Sequence, residues 1–218
     1  MKELNLKFED FPLHMPNEKK IVAKLESLVK ELEECGSFLT AKPVIKRWNK
    51  YMEELQTDAT VISVRYSLDT RDPVYKKAQD KLDEIYPVVS NYATRFEKIL
   101  LKAKYRKDAE AAFGSYLFKM YESHQKSFDE KIIPDLIEEN KLTSKYDEIM
   151  GGAQIEFRGE VYNTSQLGKF LSDSDRATRK EAAQAFDKWL GEHEQEIADI
   201  YDKLVHLRNS MAVKLGYI

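Results

Sequence analysis

Residues 72–101 read DPVYKKAQDKLDEIYPVVSNYATRFEKILL, from Asp72 to Leu101, and the reading of this stretch decides the fold. Asp72-Pro73 opens a helix well, because proline fits the first turn, where its missing N–H costs nothing. Apolar residues then recur at helical spacing from Tyr75 to Leu101. Pro87 falls inside that pattern, where a ring that removes a helical hydrogen bond predicts a kink rather than a clean break.

The same period continues upstream. Val44, Trp48, Tyr51, Met52 and Leu55 are in register after Pro43, and the pattern carries on through Val61, Ile62, Val64 and Leu68. Before it, Asn17 is placed to cap a helix whose face is Ile21, Leu25, Leu28, Val29 and Leu32, with a stop expected near Cys35-Gly36. The first sixteen residues read as an irregular or extended arm punctuated by Pro12 and Pro16.

Downstream, one helical stretch is expected from about Asp108 to Glu139, containing a second proline, Pro134. The pattern changes at Gly151-Gly152. Ile155, Phe157, Val161 and Tyr162 flank Arg158-Gly159-Glu160, which predicts a short β-hairpin near residues 153–163. Thr164 or Ser165 can cap a short helix through Leu171, and Asp173 opens another to about Leu190. A last helix carries Ile197, Ile200, Tyr201, Leu204, Val205, Met211 and Leu215 to Gly216. The expected fold class is mainly α, an elongated multi-helix domain with one hairpin, divisible into a lobe of residues 1–110 and a lobe of residues 111–218.

Composition agrees with that reading. The 218 residues are 42% hydrophobic and 33% charged, enough for a core but with only eight Gly and six Pro for turns. A net charge of −3 opposes a role in coating nucleic acid or an anionic membrane, both of which select a basic excess. No window approaches the ~18 uninterrupted apolar residues of a membrane span, and the acid-containing N-terminus lacks the apolar run of a secretory signal. One cysteine, Cys35, forms no internal disulfide, so a reducing, cytoplasmic setting is expected.

No catalytic constellation emerges from the motifs. Three residues before His14, His124, His193 and His206 stand Phe11, Tyr121, Leu190 and Lys203, so the Glu-x-x-His pairs of a helical di-iron site are missing. His193-Glu194 begins a His-Glu-x-x-His zinc motif, yet the position that needs the second imidazole is Ile197. Asp202 and His206 form an i,i+4 surface pair, and Cys35 reads as a small, partly buried side chain beside a helix end. Gly168-Lys169-Phe170 is not a phosphate loop, because Asn163 and Phe170 replace the glycine and hydroxyl that such a loop requires. Lys102-Ala103-Lys104-Tyr105-Arg106-Lys107 reads as a solvated helix face. Catalytic, cofactor-binding and metal-ligating residues are therefore expected to number none.

Several local patterns go further when taken together. Arg65-Tyr66-Ser67-Leu68-Asp69-Thr70-Arg71-Asp72-Pro73-Val74-Tyr75, then Leu82-Asp83-Glu84 and Pro87, resembles part of the oligoendopeptidase F family of thimet-type zinc metallopeptidases. Glu139-Asn140-Lys141-Leu142-Thr143-Ser144-Lys145-Tyr146 and the hairpin Ile155-Glu156-Phe157-Arg158-Gly159 with Asn163 and Leu167 resemble the same family. So do Asp175-Arg176-Ala177-Thr178-Arg179-Lys180-Glu181-Ala182, Leu204-Val205-His206-Leu207-Arg208-Asn209 and Lys214-Leu215-Gly216-Tyr217. Their order and spacing extend over nearly all of residues 8–218.

The resemblance implies the N-terminal helical portion of a longer enzyme, one wall of a cavity that encloses short peptides. It carries no catalytic residue onto this sequence, since the family's zinc-binding helix has no counterpart here. Zinc is accordingly an expectation for the full-length parent and not for this chain, which alone should be inactive. The expected partners are the catalytic remainder of the parent and, through it, short peptides, with no nucleic acid and no membrane. An exposed domain interface would favour a homodimer. The end at Leu215-Gly216-Tyr217-Ile218 reads as a domain boundary or a truncated reading frame. A stand-alone helical module binding a protein or peptide in a groove stays open as the alternative.

Overall fold

The computed structural model describes residues 7–217, and 81% of them are helical, so the mainly α expectation holds. The first six residues of the expected arm, and Ile218, lie outside the described residues. The rest of the arm contains a short 3-10 turn, Phe8–Asp10, before it runs on past Pro12 and Pro16.

Helix α1 (Glu18–Glu33) is capped by Asn17, whose side chain accepts from the Lys20 N–H. Helix α2 (Phe38–Leu68) starts six residues before Val44, where its apolar pattern begins. Ser37 and Thr40 form a reciprocal capping box there, and Pro43 sits one turn inside the helix. Leu39 is exposed, so water can serve the carbonyl that Pro43 leaves free. Helix α3 (Pro73–Lys102) begins as predicted: the Asp72 carboxylate accepts from the N–H groups of Val74 at 2.7 Å and Tyr75 at 3.0 Å.

The expected single helix over residues 108–139 is instead three elements, α4 (Arg106–Phe113), α5 (Ser115–Ser127) and α6 (Ile133–Gly151). Gly114, at φ +91°, turns the chain between the first two, a conformation open to glycine at little cost. Phe128 and Asp129 are extended, and Pro134 lies at the opening of α6 rather than within a helix.

Strands β1 (Ile155–Phe157) and β2 (Glu160–Tyr162) pair antiparallel, Ile155 opposite Tyr162, and make the expected hairpin. Arg158 and Gly159 take φ of +52° and +83° at its tip, the two positive values of a tight hairpin turn. Helix α7 (Thr164–Leu171) is capped one residue before expectation, by Asn163.

Helix α8 (Arg176–Leu215) replaces the two helices expected after Asp173. Asp175, not Asp173, is its cap, and the helix passes Gly191 without a break. A lone glycine costs a helix only about 1 kcal/mol, and no proline or cap accompanies this one. Forty residues extend about 60 Å, which gives the domain its long axis. Gly216, at φ +86°, ends it.

Two apolar clusters form. In the first, α1 contributes Leu25, Leu28 and Leu32, and Trp48 of α2 stacks on Phe96 of α3 with ring centroids 4.0 Å apart. In the second, Ile155 and Phe157 of the hairpin pack with Leu167 of α7 and Trp189 of α8. A polar network joins α2, α3 and α6. Asp83, only 6% exposed, accepts from Ser144 Oγ at 2.6 Å and from Gln79 Nε2 at 2.8 Å, and the Tyr66 hydroxyl donates to the Ser144 carbonyl at 3.1 Å.

Candidate functional site

The arm, α2, α3 and α5 enclose a cleft of about 570 Å³, within the range of small-ligand sites. Its walls are apolar: Met52, Leu55 and Ile62 from α2 face Ile85, Val89 and Ala93 from α3. Long-range hydrogen bonds hold the elements in place. Arg65 donates to the Phe11 carbonyl at 2.6 Å and fixes the arm to α2, and Gln125 donates to the Thr94 carbonyl at 2.9 Å and fixes α5 to α3.

Polar groups gather at two places on this wall. His14 Nδ1 lies 2.9 Å from Asp58 Oδ1, and His124 Nδ1 lies 3.3 Å from Glu97 Oε1. Burial pushes the Glu97 carboxyl above the usual carboxylate range, while His124 and the neighbouring Gln125 pull it back. Burial likewise raises the Tyr51 phenol on the same wall, helped by Glu54 and Asp58. Glu54, Asp58 and Glu97 outnumber Lys20 among the acids and amines lining the cleft, so its field is negative.

Sequence reasoning missed this site. Its paired residues stand 27 and 44 positions apart, and no local spacing announces such a pair. The residues weighed from sequence lie mostly elsewhere. Cys35 is partly buried, its thiol donating to the Glu31 carbonyl at 3.2 Å. The His193 ring stacks on Trp189 midway along α8, and His206 pairs with Asp202 at 3.6 Å on an exposed face. Within the basic stretch, Tyr105 is buried and Arg106 pairs with Glu110 and Glu122. Lys169 lies over the rings of Tyr162 and Phe170.

Among the described residues, no group of three or more His, Cys, Asp or Glu is placed to hold a metal ion. Each histidine–carboxylate pair of the cleft offers two side chains, short of the three protein ligands of a catalytic zinc. The residues do not fit zinc, and no step through it is assigned to them. The cleft also shows no nucleophile held by a base.

Residues 8–128 match the family model described as the Peptidase M3 N-terminal domain, more than half of the chain. The chain belongs to the M3 peptidase family. Its matched residues correspond to the N-terminal domain of that family. Solved structures extend that match beyond residue 128. PZ peptidase A with inhibitor 2 is 32% identical, with a TM-score of 0.92 over 97% of this chain. A crystal structure from Bacillus anthracis str. Ames that carries the name oligoendopeptidase F is 33% identical, with a TM-score of 0.92 over 96% of the chain. In both cases this M3 domain spans only 38% of the other chain. A search among curated proteins found no match. Among the described residues, no helix is long and apolar enough to cross a membrane.

Proposed function

We propose that this chain is the non-catalytic N-terminal region of a zinc-dependent oligopeptidase, in which it forms one wall of an enclosed cavity for short peptides. The observation that carries the reading is the pair of coverages: nearly all of this chain superimposes on about two-fifths of an inhibitor-bound peptidase. A domain that similar in fold and sequence has the same place in its own parent. This reading assigns the hydrolytic step, in which a bound metal activates water, to residues outside this chain. What the chain contributes is steric. Helices capped and stapled to one another give a stiff wall, and a stiff wall admits flexible oligopeptides and turns away folded proteins. The catalytic remainder of the parent is then its partner, and the parent is cytoplasmic, in keeping with a lone thiol.

The transcript tests this directly. The proposal expects the coding sequence after the Ile218 codon to continue in frame into a His-Glu-x-x-His segment. A native stop codon at that point, with no such segment, overturns it.

A further inference from the structure

The C-terminal half of helix α8 is apolar on two sides. Ile200 and Met211 are buried, with Leu204 and Leu207 half-buried between them, on the side that packs against α6. Arg208 pairs with Glu139 there, and Lys214 with Asp135. Adjacent residues of a helix point about 100° apart, so Tyr201 opens a second stripe beside the first. Ala198, Tyr201, Val205 and Ala212 follow one another at spacings of three, four and seven, and share that second side. Tyr201 is 70% exposed and Val205 38%. Single exposed apolar residues are ordinary on a protein surface, but a periodic row of them marks a contact. The same side of the first half of α8 reads Lys180, Gln184, Asp187 and Glu194, a solvated face.

We propose that the row is the docking surface for an amphipathic helix in the part of the parent peptidase that follows α8 in sequence. The inference rests on the reading of this chain as one domain of that parent. The domain spans 38% of each solved relative, so the larger part of each of those polypeptides lies outside it. The matched residues are the family's N-terminal domain, which puts that part after α8, and the row occupies the half of α8 nearest to it. A segment of the same polypeptide meets the row at a high effective concentration, an advantage that a second copy of the chain lacks. The shape suits a helix. Ala198 and Ala212 are small enough for close approach, and Tyr201 and Val205 between them form a ridge that enters a partner's groove.

The test is the rate of N-ethylmaleimide labelling at Tyr201→Cys, Val205→Cys and Asp187→Cys, in the 218-residue chain and in the intact parent. Peptide mass spectrometry resolves each site from Cys35. Asp187 is exposed and lies about five turns before Val205 on the same side of the helix. All three variants should react freely in the 218-residue chain. In the parent, Tyr201→Cys and Val205→Cys should slow by at least about tenfold, as sites that must open locally before they react, and Asp187→Cys should not. Either of the first two decides alone if the other does not fold. Unchanged rates at both in a parent that hydrolyses peptides overturn the inference and leave the proposed function standing. Equal slowing at Asp187→Cys overturns it as well, because the apolar row then plays no part. Slowing in the 218-residue chain that grows with its concentration gives the row to a second copy and also overturns it. A reading frame without a peptidase segment after Ile218 removes the proposed function and the inference together.

Discussion

Asn140 Nδ2 donates a 3.0 Å hydrogen bond to the main-chain carbonyl of Asp83, the acceptor that Pro87 deprives of its helical N–H. A proline inside a helix leaves the carbonyl four residues back without a partner. In α3 a side chain from α6, 57 positions along the chain, supplies it. The defect in one helix is thereby the docking point for another.

Asn140→Ala should therefore cost about 1–3 kcal/mol, the cost of stranding a buried acceptor. The cost should shrink by about 1 kcal/mol in a Pro87→Ala background, where position 87 regains an N–H for Asp83. Urea unfolding of the four proteins of this cycle measures the coupling. An Asn140→Ala cost that is the same in both backgrounds contradicts the relationship.

Asp83 also predicts a pH dependence. Burial raises its carboxyl above the usual range, against the hydrogen bonds from Ser144 and Gln79 and with the help of Asp80 and Asp147. The folded state therefore holds this proton to higher pH than the unfolded chain does. The associated stability is present below the ordinary Asp range, about pH 4, and is lost as pH rises through the folded value. Asp83→Asn carries no such loss. The stability of wild type relative to this variant should fall between about pH 4 and neutrality, as urea midpoints would show, and a flat or rising difference would refute the assignment.

At the alkaline end, Tyr66 reports on the same network. Burial first, then Glu148, Asp147, Asp80 and Asp83, push its phenol up to about 12. Its proton is retained in the folded state past the ordinary value, so the stability it confers is lost as pH rises from about 10 through the folded value. Tyr66→Phe should remove part of the alkaline loss seen by circular dichroism. An unchanged alkaline limb would count against it.

Gly151 and Gly152 were visible in the sequence as a change of pattern, but their reason is spatial. A Cβ on Gly152 would lie 2.8 Å from the Glu148 carbonyl, and one on Gly151 would lie 3.2 Å from Thr70. Gly36 meets nothing within 4 Å. Gly152→Ala should lose about 1–3 kcal/mol by overpacking, while Gly36→Ala should be neutral or gain up to about 1 kcal/mol by restricting the unfolded chain. Thermal midpoints of the two variants decide it. Equal effects would mean the close approach carries no strain.

These residues also show what was legible in advance. Asn17, Asp72 and the hairpin tip act through neighbours two to four positions away, and their roles could be read from sequence. Pro43 and Gly191 misled the reading. The strength of a breaker depends on whether its orphaned group meets water or a partner, and that is set by tertiary placement. The cleft was illegible for the same reason. Glu97 with His124, and Asp58 with His14, meet only once α2, α3, α5 and the arm have packed.

The central claim, that this domain supplies wall and not chemistry, is tested most directly on the purified 218-residue chain by measuring its zinc content together with cleavage of quenched fluorescent peptides. The account predicts no zinc retained after dialysis and no chelator-sensitive cleavage. One zinc per chain with cleavage that a chelator abolishes would contradict it.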